Sequence, residues 1–230
     1  SFDLIYHSDV IEHMEHPLDF LKAILRQLRD GGRMIIAIPD SEINLKNGDI
    51  SIFLHQHLNY FDRESLKNIV SAAGFTSIVI EKAGYGGSLY CRAIKQTGPH
   101  SKTQKRKARR DRYRTFVKKA ISMSKRMKKE VDRIVADKDR SLGFYAPVRA
   151  LPYLGMWNMS KGFRFFDDTV FWHKKYFDGI NVPVENFADL KKNPVTDLFI
   201  MSPTFGSIIE HKIRSAFGNK IKIKKLKDYF

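Results

Sequence analysis

The chain has 230 residues, of which 43% are hydrophobic, and it carries a formal net charge of +16. This apolar share is enough for a packed core and excludes a fully disordered chain. A single cysteine, Cys91, excludes an internal disulfide and suits a reducing compartment, so we expect a cytoplasmic protein. No apolar run approaches the ~20 residues that a membrane-spanning helix needs, and we therefore expect no membrane span.

The first region, residues 1–95, alternates predicted strands and helices. Each element is marked by apolar residues at strand or helical spacing and is bounded by proline, aspartate or glycine. In chain order they are a short buried strand at Phe2–Tyr6, a helix at Pro17–Leu28 ended by Gly31-Gly32, a strand at Met34–Ile38, a helix capped by Asp62 and running to Ala73, and strands at Thr76–Glu81 and Ser88–Ile94. The short join between the last two predicts an antiparallel pair. Because the chain opens inside a strand pattern without an initiator Met, we interpret its beginning as truncated.

Residues 96–140 form a basic region. Within it, residues 101–130 hold fourteen Lys or Arg against two acids, and the rest of the sequence is nearly balanced in charge. Apolar residues at spacings of three and four predict an amphipathic helix with a cationic outer face. The stripe consists of Tyr113, Phe116, Ala120, Met123, Met127, Val131 and Ile134. We interpret the helix as a connector packed on a neighbouring domain, with a nucleic-acid or anionic-membrane face as the alternative.

Residues 141–230 again alternate strands and helices. The predicted strands are Leu142–Tyr145, Phe163–Phe166, Val195–Met201 and Ile221–Leu226, and the predicted helices are Ala146–Leu154 and Gly206–Phe217. Helices between the strands predict a parallel sheet with helices on its faces. We expect a second, smaller Rossmann-like α/β domain here, and domain boundaries at 1–95, 96–140 and 141–230.

A polar turn follows the first predicted strand. In an open parallel sheet, ligands bind beyond the carboxyl ends of the strands, so residues just after Tyr6 are placed to meet a ligand. The alternative is an ordinary strand-to-helix turn with Glu12 and His13 as polar capping residues.

The run from Phe2 to Asp40 resembles the second half of a class I methyltransferase domain, which uses S-adenosylmethionine. The shared pieces are a strand with Phe-Asp, the turn that here reads Val-Ile-Glu-His, a helix, a Gly-Gly turn and a strand ending in Pro-Asp. The resemblance implies S-adenosylmethionine as the cofactor, with His7 and Ser8 beside its methionine end. The glycine-rich loop with which that family mainly holds the cofactor would lie upstream of Ser1.

Two histidines, His55 and His57, precede the helix of residues 62–73. Histidine suits a general base because its unperturbed pKa is ~6.5. No Cys, His or carboxylate lies near them at ligand spacing, so we predict no metal site. The stretch is similar to the Tyr-His-Glu-His motif of sugar C-methyltransferases, whose last His acts as base. The resemblance implies a catalytic role for His57 and substrate contacts for His55 and Tyr60. Leu54 and Gln56 depart from the motif, and a loop with backbone-bonded histidines is the alternative.

A third segment, residues 143–150, is a predicted strand that enters a tight turn and a helix. Free N–H groups at a helix start attract anions, and Arg149 adds a charged donor, although a plain Rossmann-type turn is equally consistent. The segment resembles the Tyr-Gly-Ala-x-x-Lys turn in the C-terminal domain of the C-methyltransferases. The resemblance implies substrate contacts for Tyr145 and Arg149. The family's glycine between Tyr and Ala is missing here, which argues against close phosphate approach.

The sequence therefore predicts an α/β protein: a partial class I methyltransferase (Rossmann-like) sheet plus a second Rossmann-like domain. The expected activity is methyl transfer to a small, anionic substrate such as a nucleotide-linked sugar. A nucleic-acid-binding protein that uses residues 102–129 and a non-catalytic methyltransferase-like subunit are the alternatives. The enzyme interpretation requires that the loop beginning at His7 and the loop holding His57 converge over the same end of one sheet.

Overall fold

The computed structural model of the protein describes residues 1–54, 56–84, 87–96 and 106–230, with the side chains of 106–110 outside the description. The chain divides into two compact units. The first comprises Ser1–Lys46 and His55–Arg114, and the second comprises Asn47–Leu54 and Thr115–Phe230. The division falls inside the long helix Arg106–Ala136.

The first unit contains a four-stranded sheet with helices. Its elements are β1 (Phe2–Ser8), α1 (Pro17–Gln27), β2 (Leu28–Pro39), α2 (Glu42–Asn47), α3 (Arg63–Ala72), β3 (Thr76–Lys82) and β4 (Ser88–Ile94). The strand order is β1-β2-β4-β3. Strand β1 pairs with β2 in parallel, whereas β2–β4 and β3–β4 are antiparallel. The predicted antiparallel pair is thus confirmed.

The core of the first unit is built from the apolar faces that the sequence periodicity predicts. Leu21 and Ile24 of α1 and Leu66 and Val70 of α3 are buried in one cluster with alternate residues of β2. Asp62 caps α3 as predicted: its carboxylate accepts a hydrogen bond from the Ser65 backbone N–H at 2.8 Å. Such a cap satisfies an N–H group that the helix itself leaves unpaired.

Two sequence expectations for this unit are wrong. Strand β1 is not buried: Phe2, Leu4 and Tyr6 are 57%, 51% and 59% exposed. Side chains at alternate positions share one face of a strand, so these three residues mark a face of β1 that is not packed into the core. The strand also lies at the edge of the sheet, where it pairs with β2 alone among the described strands. The Gly31-Gly32 pair does not end α1, because the chain is already extended at Leu28 and enters β2 there. Gly31 instead takes a left-handed φ of 75° within the strand.

The second unit is built on a five-stranded sheet, and the prediction of parallel strands is confirmed. The elements after the long helix α4 (Arg106–Ala136) are β5 (Leu142–Tyr145), α5 (Leu151–Met156), β6 (Arg164–Phe166), β7 (Val184–Glu185), α6 (Phe187–Lys192), β8 (Asp197–Ile200), α7 (Gly206–Phe217) and β9 (Lys222–Lys225). The strand order is β7-β6-β5-β8-β9, and every neighbouring pair is parallel. The outcome is the mixed α/β, Rossmann-like architecture expected from the sequence.

Helix α4 presents most of the predicted apolar stripe to the interior. Phe116, Ala120, Met123, Met127, Val131 and Ile134 are buried. Tyr113 is the exception, since it is 54% exposed rather than part of the buried set. Along the buried face, Ser124 accepts a hydrogen bond of 2.8 Å from the Trp157 indole. In the part of the chain that the structure describes, no helix combines the length and the apolarity needed to cross a membrane.

Candidate active site at the strand ends of the first unit

The carboxyl ends of β1 and β2 lie at the same end of the first sheet because the two strands are parallel. The segment before α3 contacts this end of the sheet as well. The backbone N–H of Asp9 donates to the carbonyl of Ala37 at 2.9 Å, and that of Ser41 donates to the carbonyl of Phe61 at 2.9 Å. Ligands of parallel sheets bind at edges of this kind.

The loop after β1 and the loop before α3 are hydrogen-bonded to each other. The carbonyl oxygen of Glu12 accepts the backbone N–H groups of Leu58 and Asn59, both at 2.9 Å. The side-chain amide of Asn59 also donates to the carbonyl of Met14 at 2.6 Å. The predicted convergence of the His7 and His57 loops over one end of one sheet is thereby confirmed.

This convergence brings together three ionisable side chains from two distant parts of the sequence. Glu12 and His13 lie in a 3₁₀ turn, Ile11–His13, directly after β1. The imidazole of His57 packs edge-on against that of His13, with 4.8 Å between the ring centroids. One nitrogen or oxygen atom from each of the three residues lies within 4.8 Å of the others.

The Glu12 carboxyl group is the most unusual member of this cluster. The residue is only 2% exposed. Neither of its carboxylate oxygens has a hydrogen-bond partner among the described residues. Burial raises the pKa of Glu12; an interaction with its own backbone N–H acts in the opposite direction, and the nearby Asp9 carboxylate again raises the pKa. A buried carboxylate without a partner is costly, so its presence at a ligand-binding edge points to a role beyond packing.

The tautomer of His13 follows from its contacts. Its Nδ1 lies 2.6 Å from the carbonyl oxygen of Gln56. A carbonyl oxygen only accepts hydrogen bonds, so Nδ1 carries the proton and donates. In the neutral ring Nε2 then has a free lone pair, and it lies 4.0 Å from a carboxylate oxygen of Glu12. The contact with Gln56 therefore turns the basic nitrogen of His13 towards the cluster.

The two residues predicted to contact the cofactor differ in their accessibility. Ser8, the last residue of β1, is exposed, and its hydroxyl donates to Asp9 at 2.8 Å. His7 instead packs edge-on against Phe20 of α1, with ring centroids 5.3 Å apart. Both its ring nitrogens are buried without a partner among the described residues, and burial lowers the pKa of His7. Ser8 is therefore accessible to a ligand, whereas the ring nitrogens of His7 are not.

Of the predicted substrate-contacting residues in this unit, Tyr60 lies near the cluster. Its ring centroid is 6.3 Å from that of His57. His55 falls outside the described residues, and its predicted role remains a prediction.

The other two predicted substrate contacts belong to the second unit. The buried Tyr145, at the carboxyl end of β5, donates its hydroxyl hydrogen to Asp168 at 2.8 Å and accepts a hydrogen bond of 2.5 Å from Lys212. Burial, followed by the bond to Asp168, raises the pKa of this hydroxyl. Arg149 lies in the 3₁₀ turn Pro147–Arg149, which follows Ala146 at a left-handed φ of 63°.

Arg149 is a half-buried cation. Burial lowers the pKa of its guanidinium, and the neighbouring carboxylate of Asp49 acts in the opposite direction. Asp49 itself is fully buried, where Ser51 and Tyr153 donate hydrogen bonds to it. The turn therefore holds positive charge at the position where the sequence predicts an anion contact.

The proposed nucleic-acid face at residues 102–129 lies partly outside the described residues. On the described part of α4, Lys128 pairs with Asp132 of the same helix at 2.8 Å. Glu130 of α4 pairs instead with Lys224 of β9 at 3.2 Å. Binding of nucleic acid by this helix stays a prediction.

Residues 1–80 match a family model described as a methyltransferase domain. The match covers β1, the Glu12–His13 turn and the His57 loop. It indicates S-adenosylmethionine as the cofactor. No curated protein is significantly similar to this chain in sequence.

Three solved structures illustrate the structural likeness. A SAM-dependent methyltransferase from Thermotoga maritima is 25% identical over 42% of this chain and 57% of its own, with a TM-score of 0.35. The CurJ carbon methyltransferase is 15% identical over 42% of this chain and 30% of its own, with a TM-score of 0.32. PigF with SAH is 19% identical over 41% of this chain and 30% of its own, with a TM-score of 0.35. The chain thus spans 57% of the first of these proteins and 30% of the other two.

The sequence indicates Glu12 and His13 only as part of a family turn or as capping residues. Their proximity to His57, more than forty positions along the chain, depends on the loop pairing at Glu12 and is invisible to local spacing. The one signal in the sequence was an ionisable pair placed directly after a strand that ends at a sheet edge.

Proposed function

We propose that this protein transfers a methyl group from S-adenosylmethionine to a small, anionic acceptor, such as a nucleotide-linked sugar, at the strand ends of the first unit. The observation that carries the proposal is the loop pairing at the Glu12 carbonyl, which sets His57 beside the end of β1. The matched methyltransferase model over residues 1–80 supports the same region.

The cofactor supplies a methyl group on a positively charged sulfur. An acceptor carbon or oxygen forms the new bond to the methyl carbon, the methyl–sulfur bond breaks, and its electron pair returns to sulfur. The chain's contribution is to align the two reactants and exclude water. Ser8 offers an exposed hydroxyl beside the cofactor, and His7 holds the end of β1 against Phe20.

His57 is the proposed catalytic residue. A neutral imidazole can accept the proton that the acceptor loses, and histidine is suited to this role because its unperturbed pKa of ~6.5 lies near neutral pH. The half-buried His57 ring lies against His13 and near Tyr60, so its orientation is restricted.

The second unit offers a separate candidate site for an anionic group. Arg149 and Tyr145 occupy the turn at the carboxyl end of β5, where parallel sheets bind ligands. A guanidinium recognises phosphate through paired N–H donors. We propose that this turn of the second unit binds a phosphate group.

The test is methyl transfer from labelled S-adenosylmethionine by the full-length protein to a panel of nucleotide-linked sugars. We expect His57→Ala to lower kcat by about 100-fold to 10,000-fold, the usual contribution of general acid–base catalysis. His16→Ala, an exposed histidine at the start of α1, serves as the matched control and should retain the wild-type rate. Equal rates in wild type and His57→Ala would remove His57 from the mechanism, and absence of cofactor binding would overturn the proposed function.

A further inference from the structure

The buried carboxylate of Glu12 requires a physical explanation. It is 2% exposed, and both its oxygens lack a hydrogen-bond partner among the described residues. Buried charges in proteins are normally paired with an opposite charge or bound to a metal, because desolvating them otherwise costs several kcal/mol. No Lys or Arg side chain in the described part of the chain forms an ion pair with Glu12.

The groups next to Glu12 are those that bind metal ions. Atoms of Glu12, His13 and His57 capable of ligation lie within 4.8 Å of one another. Two imidazoles and one carboxylate form a common ligand set for divalent transition metals, and they leave coordination positions open for water or substrate. Mg²⁺ and Ca²⁺ prefer oxygen ligands, so two imidazoles argue against both.

The orientation of His13 supports the same conclusion independently of Glu12. Metal-binding histidines usually donate their second ring N–H to a carbonyl or carboxylate, which fixes the tautomer and the ring plane. The Nδ1 of His13 makes such a bond to the carbonyl oxygen of Gln56 at 2.6 Å. Its Nε2 is consequently the nitrogen available to an ion.

We propose that Glu12, His13 and His57 bind one divalent transition-metal ion at the strand ends of the first unit. The Glu12 carboxylate supplies negative charge from the buried side, and the two half-buried imidazoles approach from the accessible side. The exposed carboxylate of Asp9, whose charge acts on Glu12, adds to the attraction for a cation. This site is absent from the sequence prediction because its ligands come from two separated segments.

The binding of the ion does not depend on the proposed methyl transfer, but its role in the reaction does. A metal at this position would hold an acceptor hydroxyl and favour loss of its proton. The lone pair of His57 would then be used for ligation and the released proton would pass to water, whereas in the metal-free protein His57 accepts the proton as proposed above. Metal binding thus decides between two roles for the same residue.

The experiment is calorimetric titration of the metal-free full-length protein with Zn²⁺, repeated with Co²⁺ while visible absorption is recorded. We expect one ion per chain and absorption bands of a nitrogen- and oxygen-coordinated Co²⁺. Glu12→Gln, His13→Ala and His57→Ala should each weaken Zn²⁺ binding by more than about 100-fold, beyond the 10-fold to 100-fold loss typical of residues that only orient ligands.

Matched controls are available on the same stretch of chain. Glu15→Gln and His16→Ala change exposed residues of the same types, and both should bind Zn²⁺ like the wild type. Hydrogen exchange of the β2 amides checks that each variant is folded. The proposal is overturned if the folded wild type binds no ion, or if the controls lose as much affinity as the cluster variants.

The two proposals fail in distinguishable ways. S-adenosylmethionine binding is measured in the presence of EDTA, so loss of the metal site leaves the cofactor result intact. Conversely, Zn²⁺ titration needs neither cofactor nor acceptor, and a protein that fails to bind S-adenosylmethionine still reports on the metal site.

Discussion

The two units differ in whether their buried polar groups have hydrogen-bond partners. In the second unit such groups are paired: Arg140 binds Asp197 through two hydrogen bonds of 2.9 and 2.5 Å, and Tyr145 is bonded to Asp168 and Lys212. Among the described residues, the buried side-chain nitrogen and oxygen atoms without a partner belong to the first unit, in His7, Glu12 and Asn68.

This difference indicates which buried polar groups remain able to bind a ligand. Native proteins pair nearly all buried polar groups, and the exceptions call for an explanation. At the strand ends of the first sheet, Glu12 has unused acceptor capacity next to two imidazoles. At the corresponding edge of the second sheet, a ligand that contacts the Tyr145 hydroxyl must compete with Asp168 and Lys212. Paired groups contribute stability, whereas unpaired ones cost stability and are available to function.

The largest effect is expected where a paired group of the second unit is removed. Arg140→Met leaves Asp197, which is 4% exposed, without its cation. We expect a loss of about 3 kcal/mol, typical of breaking a buried ion pair from one side. Urea unfolding followed by tryptophan fluorescence measures it, because both tryptophans, Trp157 and Trp172, lie in the second unit.

The matched control for this change is Lys128→Met, which breaks the exposed pair with Asp132 on the same unit. Surface pairs contribute about 0–1 kcal/mol, so this variant should unfold nearly like the wild type. Equal losses in the two variants would show that burial does not distinguish the ion pairs of this unit.

At Glu12 in the first unit, we expect substitution to raise the stability rather than lower it. Glu12→Met removes a buried carboxylate that has no partner and keeps a side chain of similar length. In metal-free protein we expect a gain of about 1 kcal/mol, since replacing an unsatisfied polar group by an apolar one is neutral or stabilising. Hydrogen exchange of the β2 amides in EDTA reports it, with the exposed Glu15→Met as the control. A loss of stability would mean that Glu12 has partners, and it would remove the main argument for the metal site.

A smaller effect is expected at Asp62, a paired polar group of the first unit. Asp62→Ala removes the cap of α3, and we expect the helix to lose about 1 kcal/mol. Glu64→Ala, in the same helical turn, also loses a contact with Arg112 but leaves the cap intact, so its effect should be smaller. Amide exchange along Arg63–Ala72 measures both. If the two variants exchange alike, the cap is not what stabilises the start of the helix.

The same cap predicts an acid dependence. Burial acts to raise the pKa of Asp62, but hydrogen bonds from Ser65 and Arg112 outweigh it and lower the pKa overall. The stabilisation is therefore fully present above the unfolded-state pKa of about 3.9 and is lost as the pH falls through the lower folded-state pKa. Asp62→Asn, which can still cap the helix, should abolish this dependence when α3 exchange is followed on acidification.

Local patterns in the sequence were sufficient for most of the secondary structure. Helix α7 has the predicted bounds, Gly206–Phe217, and the cap at Asp62 follows from its position before an apolar helix. Such features depend on residues within a few positions of one another. The parallel second sheet also followed, because helices between strands leave few other topologies.

What the sequence determined by itself was the alternation of strands and helices, most of the buried stripe of α4 and the resemblance of the run from Phe2 to Asp40 to a methyltransferase domain. Only the tertiary structure decided that β1 lies exposed at a sheet edge and that Glu12, His13 and His57 share one site. Periodicity records which residues are apolar at short range. The position of a strand within its sheet and the meeting of two distant loops depend on contacts between segments that are far apart in the chain.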